Sequence, residues 1–184
     1  MKKGNGKAAT LAVGNFGDSD TVCALMSLDK LKSPAGLAQE CARLGSLGKK
    51  LVFTNGCFDL LHVGHVRYLE AARALGDALA VAVNGDASVR ALKGTSRPIN
   101  SEQDRAEVLA ALECVDFVTI FPDVRVTNLA REVRPHIYAK GGDYTVESLH
   151  AEERSALEAA GAEIAILPLV PGKSTTATIA KWKS

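Results

Sequence analysis

The chain has 184 residues, of which 47% are hydrophobic and 23% are charged, with a formal net charge of +1. This length suits one domain, and this apolar content argues against a disordered chain. The balanced charge excludes a general basic surface for nucleic acid or an anionic membrane, so any cationic site is expected to be local.

Membrane and disulfide classes are also disfavoured. No apolar run approaches the roughly 20 residues that a membrane span requires. The four cysteines form no CxxC pair, which argues against a zinc ribbon and against a disulfide framework. We therefore expect a cytoplasmic protein with reduced thiols and no nucleic-acid or membrane partner.

The first 30 residues show no sustained hydrophobic period and are predicted to form a flexible leader. Ser33 followed by Pro34 is typical of a helix N-cap and first turn. Apolar residues then recur at helical spacing as far as Leu47. The pattern predicts a leading helix over 34–47 within one domain over 31–184.

From Leu51 onward, predicted strands alternate with predicted helices. The strands are LVFTN at 51–55, ALAVAVN at 78–84, VDFVTIF at 115–121, HIYAK at 136–140 and AEIAILPL at 162–169. The helices are predicted over 63–75, 101–112, 124–133, 147–160 and 174–182. Such alternation predicts an α/β fold with a doubly wound, five-stranded parallel sheet. Ligands bind such sheets beyond the carboxyl ends of the strands, here 54–65, 84–97, 140–144 and 171–176.

The stretch TNGCFDLLHVGH, residues 54–65, combines features of a phosphate site. Gly56 permits a sharp turn after the strand, and His62 and His65 flank Gly64 at the start of the next helix. A helix N-terminus offers unpaired N–H groups and partial positive charge to an anion, and the imidazoles add donors. The alternatives are half of a zinc site and a pair of structural histidines.

Other polar residues follow the first two strands. Asp59 would either hold the loop through backbone N–H groups or ligate a metal, and the sequence favours the loop. Lys93 and Arg97, on a glycine-containing loop, suit a mobile phosphate clamp, although a plain solvated loop is the alternative. One of Asn84 and Asp86 would orient the nucleotide or the substrate.

The segment NGCFDLLHVGH resembles the GxFDxxHxGH signature of the nucleotidylyltransferase superfamily. VAVNGDASVRALKGTSRPIN, ALECVDFV, KGGDY and STTATIAK look like the adenylyltransferase module of bacterial ADP-heptose synthesis, in the same order over about 50–182. The resemblance implies the Rossmann-like fold of that superfamily. It also implies that D-glycero-β-D-manno-heptose 1-phosphate attacks the α-phosphate of ATP and releases pyrophosphate, for the lipopolysaccharide core.

The resemblance implies a role for each matching position. It implies catalytic roles for His62, His65 and Lys93. It implies nucleotide contacts from Thr54, Asn55, Gly56, Phe58, Gly64, Asn84, Arg105, Lys140, Gly141, Ser174, Thr175 and Thr176. It implies substrate contacts from Asp59, Asp86, Arg97, Gly142 and Asp143. The plain alternatives are an exposed helix arginine at 105, a glycine turn at 140–144 and a simple helix N-cap at 174.

The implied partners are ATP, a sugar 1-phosphate and further copies of the chain. Mg²⁺ is expected on the ATP phosphates, with no metal ligand from the protein. We expect a homodimer or a larger homo-oligomer. The residues before the first strand are too few for a sugar kinase, so the kinase step is expected from a separate chain, unless this chain is a fragment of a fusion.

The segment LVPGKST at 169–175 departs from the RTxGIST of glycerol-phosphate cytidylyltransferases. The arginine is absent, and Lys173 lacks its bidentate fork, which weakens an interpretation based on CTP. The alternatives are a cytidylyltransferase for a polyol or amino-alcohol phosphate, and a non-catalytic nucleotide sensor. A dinucleotide-binding redox protein is disfavoured because the glycines after the first strand form no GxGxxG.

Overall fold

The computed structural model describes residues 29–142 and 144–168. The strands are β1 (Leu51–Gly56), β2 (Ala78–Asn84), β3 (Phe117–Phe121), β4 (Ile137–Gly141) and β5 (Glu163–Leu167). They form one sheet in the order β3-β2-β1-β4-β5, and all four pairings are parallel. The predicted doubly wound, Rossmann-like sheet is confirmed, with its switch point between β1 and β4.

The helices are α1 (Pro34–Ser46), α2 (Val63–Arg73), α3 (Asp86–Lys93), α4 (Glu102–Ala110), α5 (Thr127–Val133) and α6 (Ala151–Ala160). Local signals in the sequence set several of their ends. Ser33 Oγ accepts the Gly36 N–H at 3.1 Å and Ser101 Oγ accepts the Asp104 N–H at 3.1 Å, as N-caps do. Gly161 ends α6 with φ of 80°, a left-handed conformation that glycine adopts without strain.

One helix was not predicted, and two predicted helices begin three and four residues too early. The segment 84–97 was predicted as a loop, but Asp86–Lys93 is helix α3, so Lys93 is a helix-terminal residue. Helix α5 begins at Thr127 and not at 124, and α6 begins at Ala151 and not at 147. A turn closed by Thr145 and Ser148 occupies the residues before α6. The predicted leader up to residue 28 and the predicted helix 174–182 lie outside the described residues.

The sheet separates two apolar layers. On one face α1, α5 and α6 pack on Phe53, Ala80 and Tyr138. On the other face α2 and α4 pack on Val52, Leu79 and Val81. Strand β2 is buried along its whole length, which explains its unbroken apolar sequence. The helices therefore cover both faces and leave the carboxyl edge of the sheet for the functional site.

The helices of the described residues are short. The longest, α1, has 13 residues, and none of them combines the length and apolarity that crossing a bilayer requires.

Candidate active site

A cavity of about 680 Å³ lies at the carboxyl ends of β1, β2 and β4, beside the start of α2. Most of the predicted site residues line it. They are Asn55, Gly56, Phe58, Asp59, His62, Gly64, His65, Asn84, Lys93, Arg97, Lys140 and Gly141. Asp143, Ser174, Thr175 and Thr176 lie outside the described residues, so their contacts stay predictions.

The turn after β1 places an aromatic ring against the histidines. Phe58 has φ of 45°, in the left-handed region that non-glycine residues rarely adopt. A Cβ on Gly56 would lie 3.0 Å from the Phe58 ring, so the ring needs a glycine beneath it. The Phe58 ring meets His65 edge-on, with 5.6 Å between the ring centroids. The glycine and the strained turn together support one face of His65.

His62 and His65 form a stacked pair at the N-terminus of α2. His62 is the N-cap, and its ring centroid lies 3.9 Å from that of His65 at an interplanar angle of 27°. The His62 N–H donates to His65 Nδ1 at 3.3 Å. Because Nδ1 accepts, a neutral His65 carries its proton on Nε2 and can donate from there. The pair therefore supplies donors at a helix end that already attracts anions.

The surroundings of His65 keep it neutral. Burial first, and the neighbouring His62 second, lower the pKa of His65 from 6.5 to about 4. At neutral pH the ring is therefore uncharged in the ligand-free protein. A phosphate that approaches Nε2 favours the protonated form and raises this pKa.

Asp59 holds the loop between α3 and α4. It is 3% exposed. Its Oδ1 accepts the N–H groups of Ile99 at 2.8 Å and Asn100 at 3.1 Å, and Oδ2 accepts from Arg97 Nε. Burial opposes ionisation, but these hydrogen bonds together lower the pKa of Asp59 below its ordinary value. The geometry supports the loop-holding interpretation, and because Asp59 also lines the cavity its substrate contact stays a prediction.

Arg105 is a buried connector and not an exposed helix arginine. It is 2% exposed. Its guanidinium donates to the carbonyls of Cys57, Asn84 and Asn100 and to Asp86 Oδ1. Neither Arg105 nor Asp86 lines the cavity. The predicted nucleotide contact of Arg105 and substrate contact of Asp86 are therefore corrected, because the two side chains are ion-paired behind the cavity wall.

Thr54 also lies behind the wall. It is fully buried, and its hydroxyl is 2.8 Å from the Tyr68 hydroxyl, which donates to the Ala139 carbonyl at 2.9 Å. This chain of hydrogen bonds joins β1, α2 and β4. The predicted nucleotide contact of Thr54 is corrected to a structural one, and Gly142 likewise does not line the cavity.

A polar cluster lies at the β4 side of the cavity, and the sequence predicted only some of its members. The Tyr138 hydroxyl lies 2.6 Å from Asn55 Oδ1 and 2.5 Å from Glu153 Oε1. Lys140 Nζ lies 3.0 Å from Asn55 Oδ1 and 3.6 Å from Glu153 Oε1. Burial and the Glu153 carboxylate raise the pKa of Tyr138 well above its ordinary value, so it stays protonated. The strand period did place Tyr138 on the face of Lys140, but no sequence signal marked Glu153.

Three basic side chains, Lys93, Arg97 and Arg105, lie near the Cys57 thiol, which directly follows β1. Burial raises the pKa of the half-buried Cys57 thiol, and the positive charges of Lys93, Arg105 and Arg97 oppose that rise. The thiol is therefore protonated at neutral pH, as expected of a packed residue and not of a nucleophile.

Within the described ranges, no group of three or more His, Cys, Asp or Glu side chains has the arrangement of a metal site.

Comparison with known families and proteins gives consistent matches. The cytidylyltransferase-like family model matches residues 53–179. The bifunctional protein HldE of Citrifermentans bemidjiense is 45% identical over 95% of this chain and 37% of its own length. HldE of Pelobacter propionicus is 54% identical over 70% of this chain and 26% of its own. The chain thus spans about a third of the length of these curated relatives.

Solved structures give the same fold. A lipopolysaccharide core biosynthesis protein from Thermoplasma volcanium is 30% identical, with a TM-score of 0.55, over 67% of this chain and 98% of that one. Pantothenate synthetase from Thermus thermophilus is 19% identical, with a TM-score of 0.54, over 77% of this chain and 62% of its own. At that identity the second likeness shows the fold alone.

Proposed function

Since the chain belongs to the cytidylyltransferase-like family, we propose that it transfers the adenylyl group of ATP to D-glycero-β-D-manno-heptose 1-phosphate. The products are ADP-heptose and pyrophosphate, for lipopolysaccharide core synthesis. The observation that carries the proposal is the His62–His65 pair at the N-terminus of α2, facing the cavity directly after β1. The similarity to HldE and to a lipopolysaccharide core biosynthesis protein supports the choice of acceptor.

The chemistry needs positioning and charge stabilisation more than a nucleophilic side chain. An oxygen of the acceptor phosphate attacks the α-phosphorus of ATP. The bond from that phosphorus to the bridging oxygen breaks, and pyrophosphate leaves with the electron pair. Negative charge grows on the phosphate oxygens, where His65 Nε2–H, the N–H groups of α2 and Lys93 would stabilise it.

Mg²⁺ would enter with ATP, bound to its phosphates, as it does in many nucleotide enzymes. It is then part of the substrate, and the cavity residues act on the phosphate oxygens that it leaves uncovered. Asp59, a carboxylate beside the histidines, is already engaged by the 97–100 loop, which fits a metal held by the nucleotide.

We also propose that the enzyme acts in the cytoplasm as a homodimer or a larger homo-oligomer. A catalytic domain over 31–184 and a leader over 1–30 belong to the same proposal. Gel filtration with light scattering at working concentration would test the assembly, since a monomer with full activity would contradict it.

A cytidylyltransferase for a polyol or amino-alcohol phosphate is the second candidate, because the matching family model is described as cytidylyltransferase-like. Pyrophosphate release with ATP or CTP, each offered heptose 1-phosphate or glycerol 3-phosphate, separates the two. We expect release with ATP and heptose 1-phosphate, whereas faster release with CTP would favour the second candidate. Tight ATP binding without turnover of either acceptor would instead indicate a nucleotide sensor.

A further inference from the structure

The charges that line the cavity do not cancel. Among the described residues, four Lys or Arg side chains and two carboxylates line it. Arg97 is ion-paired with Asp59, and Lys140 Nζ lies 3.6 Å from Glu153 Oε1. Within the same part of the chain, the two remaining cations, Lys93 and Arg125, form no ion pair. Both are exposed and line the cavity: Lys93 is the last residue of α3, and Arg125 lies in the loop after β3.

The backbone that carries Arg125 is held on both sides. Asn84, buried at the end of β2, donates from Nδ2 to Ser88 Oγ at 2.9 Å and to the Asp123 carbonyl at 3.3 Å. After Arg125, Val126 is fully buried. The arginine thus projects from a fixed loop, which lowers the ordering cost of binding. The sequence missed this residue because 124–133 was predicted as one helix, although α5 begins only at Thr127.

The chain just before the loop of Arg125 is also hydrogen-bonded to the residue that follows β2. The Gly85 N–H donates to the Phe121 carbonyl at 2.9 Å, and a Cβ on Gly85 would lie 3.2 Å from that oxygen. The close approach of these two strand ends holds the loop of Arg125 at the rim of the cavity, which Lys93 also lines. Asn84, assigned a nucleotide contact by the resemblance, here acts as the positioning residue of this rim.

We propose that Arg125 binds the phosphate group of the acceptor, and so selects phosphate monoesters as acceptors. This inference rests on the proposed function, in which two anionic phosphates must approach each other. In the proposed function Lys93 and the histidines serve the ATP phosphates, so Arg125, the other unpaired cation among the described residues that line the cavity, serves the second phosphate. A guanidinium grips a phosphate through two parallel hydrogen bonds.

The opposite end of the cavity supports this orientation. The Glu153 carboxylate lies there with Tyr138, Asn55 and Lys140. Because Glu153 and Lys140 offset each other's charge, this end offers a phosphate no net attraction and suits neutral hydroxyl groups. The acceptor phosphate is therefore directed to the rim of Lys93 and Arg125.

Steady-state kinetics of Arg125→Gln test the proposal. We expect KM for heptose 1-phosphate to rise about tenfold or more, since a charge-assisted bidentate contact is lost, while KM for ATP stays within about twofold. Arg131→Gln is the matched control, because Arg131 is an exposed arginine of α5 whose hydrogen bond goes to Asn128. A rise in KM for ATP alone, or no change in either constant, would overturn the proposal.

Equilibrium binding separates this inference from the proposed function. Isothermal titration would measure inorganic phosphate binding to the full chain saturated with α,β-methylene-ATP, which requires no turnover. Arg125→Gln should weaken phosphate binding about tenfold, and Arg131→Gln should not. This result would stand even if heptose 1-phosphate gave no pyrophosphate in the wild type. Phosphate bound equally tightly by Arg125→Gln and the wild type would rule out the role of Arg125.

Discussion

At the scale of single residues, the ionisation of His65 links the site to stability. Its pKa in the folded chain is about 4, below the ordinary 6.5, so the unfolded chain binds the proton more tightly. Stability from this residue is therefore present above pH 6.5 and is lost as the pH falls toward 4. Between pH 7 and pH 5 we expect a loss of about 1 kcal/mol, allowing for partial solvent screening.

Urea unfolding at pH 7 and pH 5 would measure this loss in the wild type and in His65→Gln. The variant lacks the titrating group and should lose correspondingly less stability between the two pH values. An identical loss in both proteins would mean that His65 titrates normally in the folded state.

Arg105 offers a second test at this scale. Removing a buried guanidinium leaves Asp86 and three carbonyls without their donor, which costs about 3–5 kcal/mol. Urea unfolding of Arg105→Ala should show that loss, whereas the exposed Arg131→Ala should change stability by less than about 0.5 kcal/mol. Unchanged stability together with a raised KM for ATP would restore the nucleotide contact that the sequence predicted.

At the scale of elements, the loop between α3 and α4 depends on a side chain from another segment. Asp59 holds residues 97–100 through Arg97 and two backbone N–H groups. Asp59→Ala should therefore loosen the loop and speed tryptic cleavage after Lys93, at the end of α3. Arg97 precedes a proline, so trypsin should spare it.

The matched control is Asp77→Ala, which removes a carboxylate that accepts the Lys50 N–H at 2.8 Å. It should leave cleavage after Lys93 unchanged. Digestion followed by mass spectrometry gives both rates. Equal protection of Lys93 in Asp59→Ala and the wild type would show that the loop does not depend on Asp59.

At this scale, an element could be predicted from the sequence when neighbouring residues alone determine it. Strand β2 was predicted with its observed bounds, because burial on both faces leaves an unbroken apolar run. Helix α3 was missed, because its eight residues make barely two turns and the glycines on either side, Gly85 and Gly94, are also typical of a loop. The start of α6 was misplaced because the turn closed by Thr145 and Ser148 occupies the residues before Ala151.

The same distinction between local and distant contacts applies to the site residues. The histidine pair could be predicted because a strand end, two glycines and a helix start lie within twelve residues. The role of Arg105 and the partners of Asp59 could not, since Arg97 lies 38 positions from Asp59 and Cys57 lies 48 positions from Arg105. Such contacts depend on how the loops cross at the sheet edge.

At the scale of the whole molecule, two apolar layers share one sheet. Leu37 of α1 and Leu69 of α2 are fully buried on opposite faces. Leu37→Ala and Leu69→Ala should each lower the free energy of unfolding by about 2–5 kcal/mol. Because both layers pack on the same strands, fluorescence and circular dichroism should report one transition in each variant. A separate early transition in Leu37→Ala would show that α1 is not part of the cooperative unit.

The most direct test of the account compares pyrophosphate release from ATP and heptose 1-phosphate by the wild type and by His65→Ala. We predict release by the wild type and a fall in kcat/KM of about 10²–10³-fold in the variant, because a preorganised donor to the phosphates is lost. Arg131→Gln, which changes an exposed side chain of α5 outside the cavity lining, should keep most of the activity. Full activity in His65→Ala, or no release by the wild type, would contradict the account.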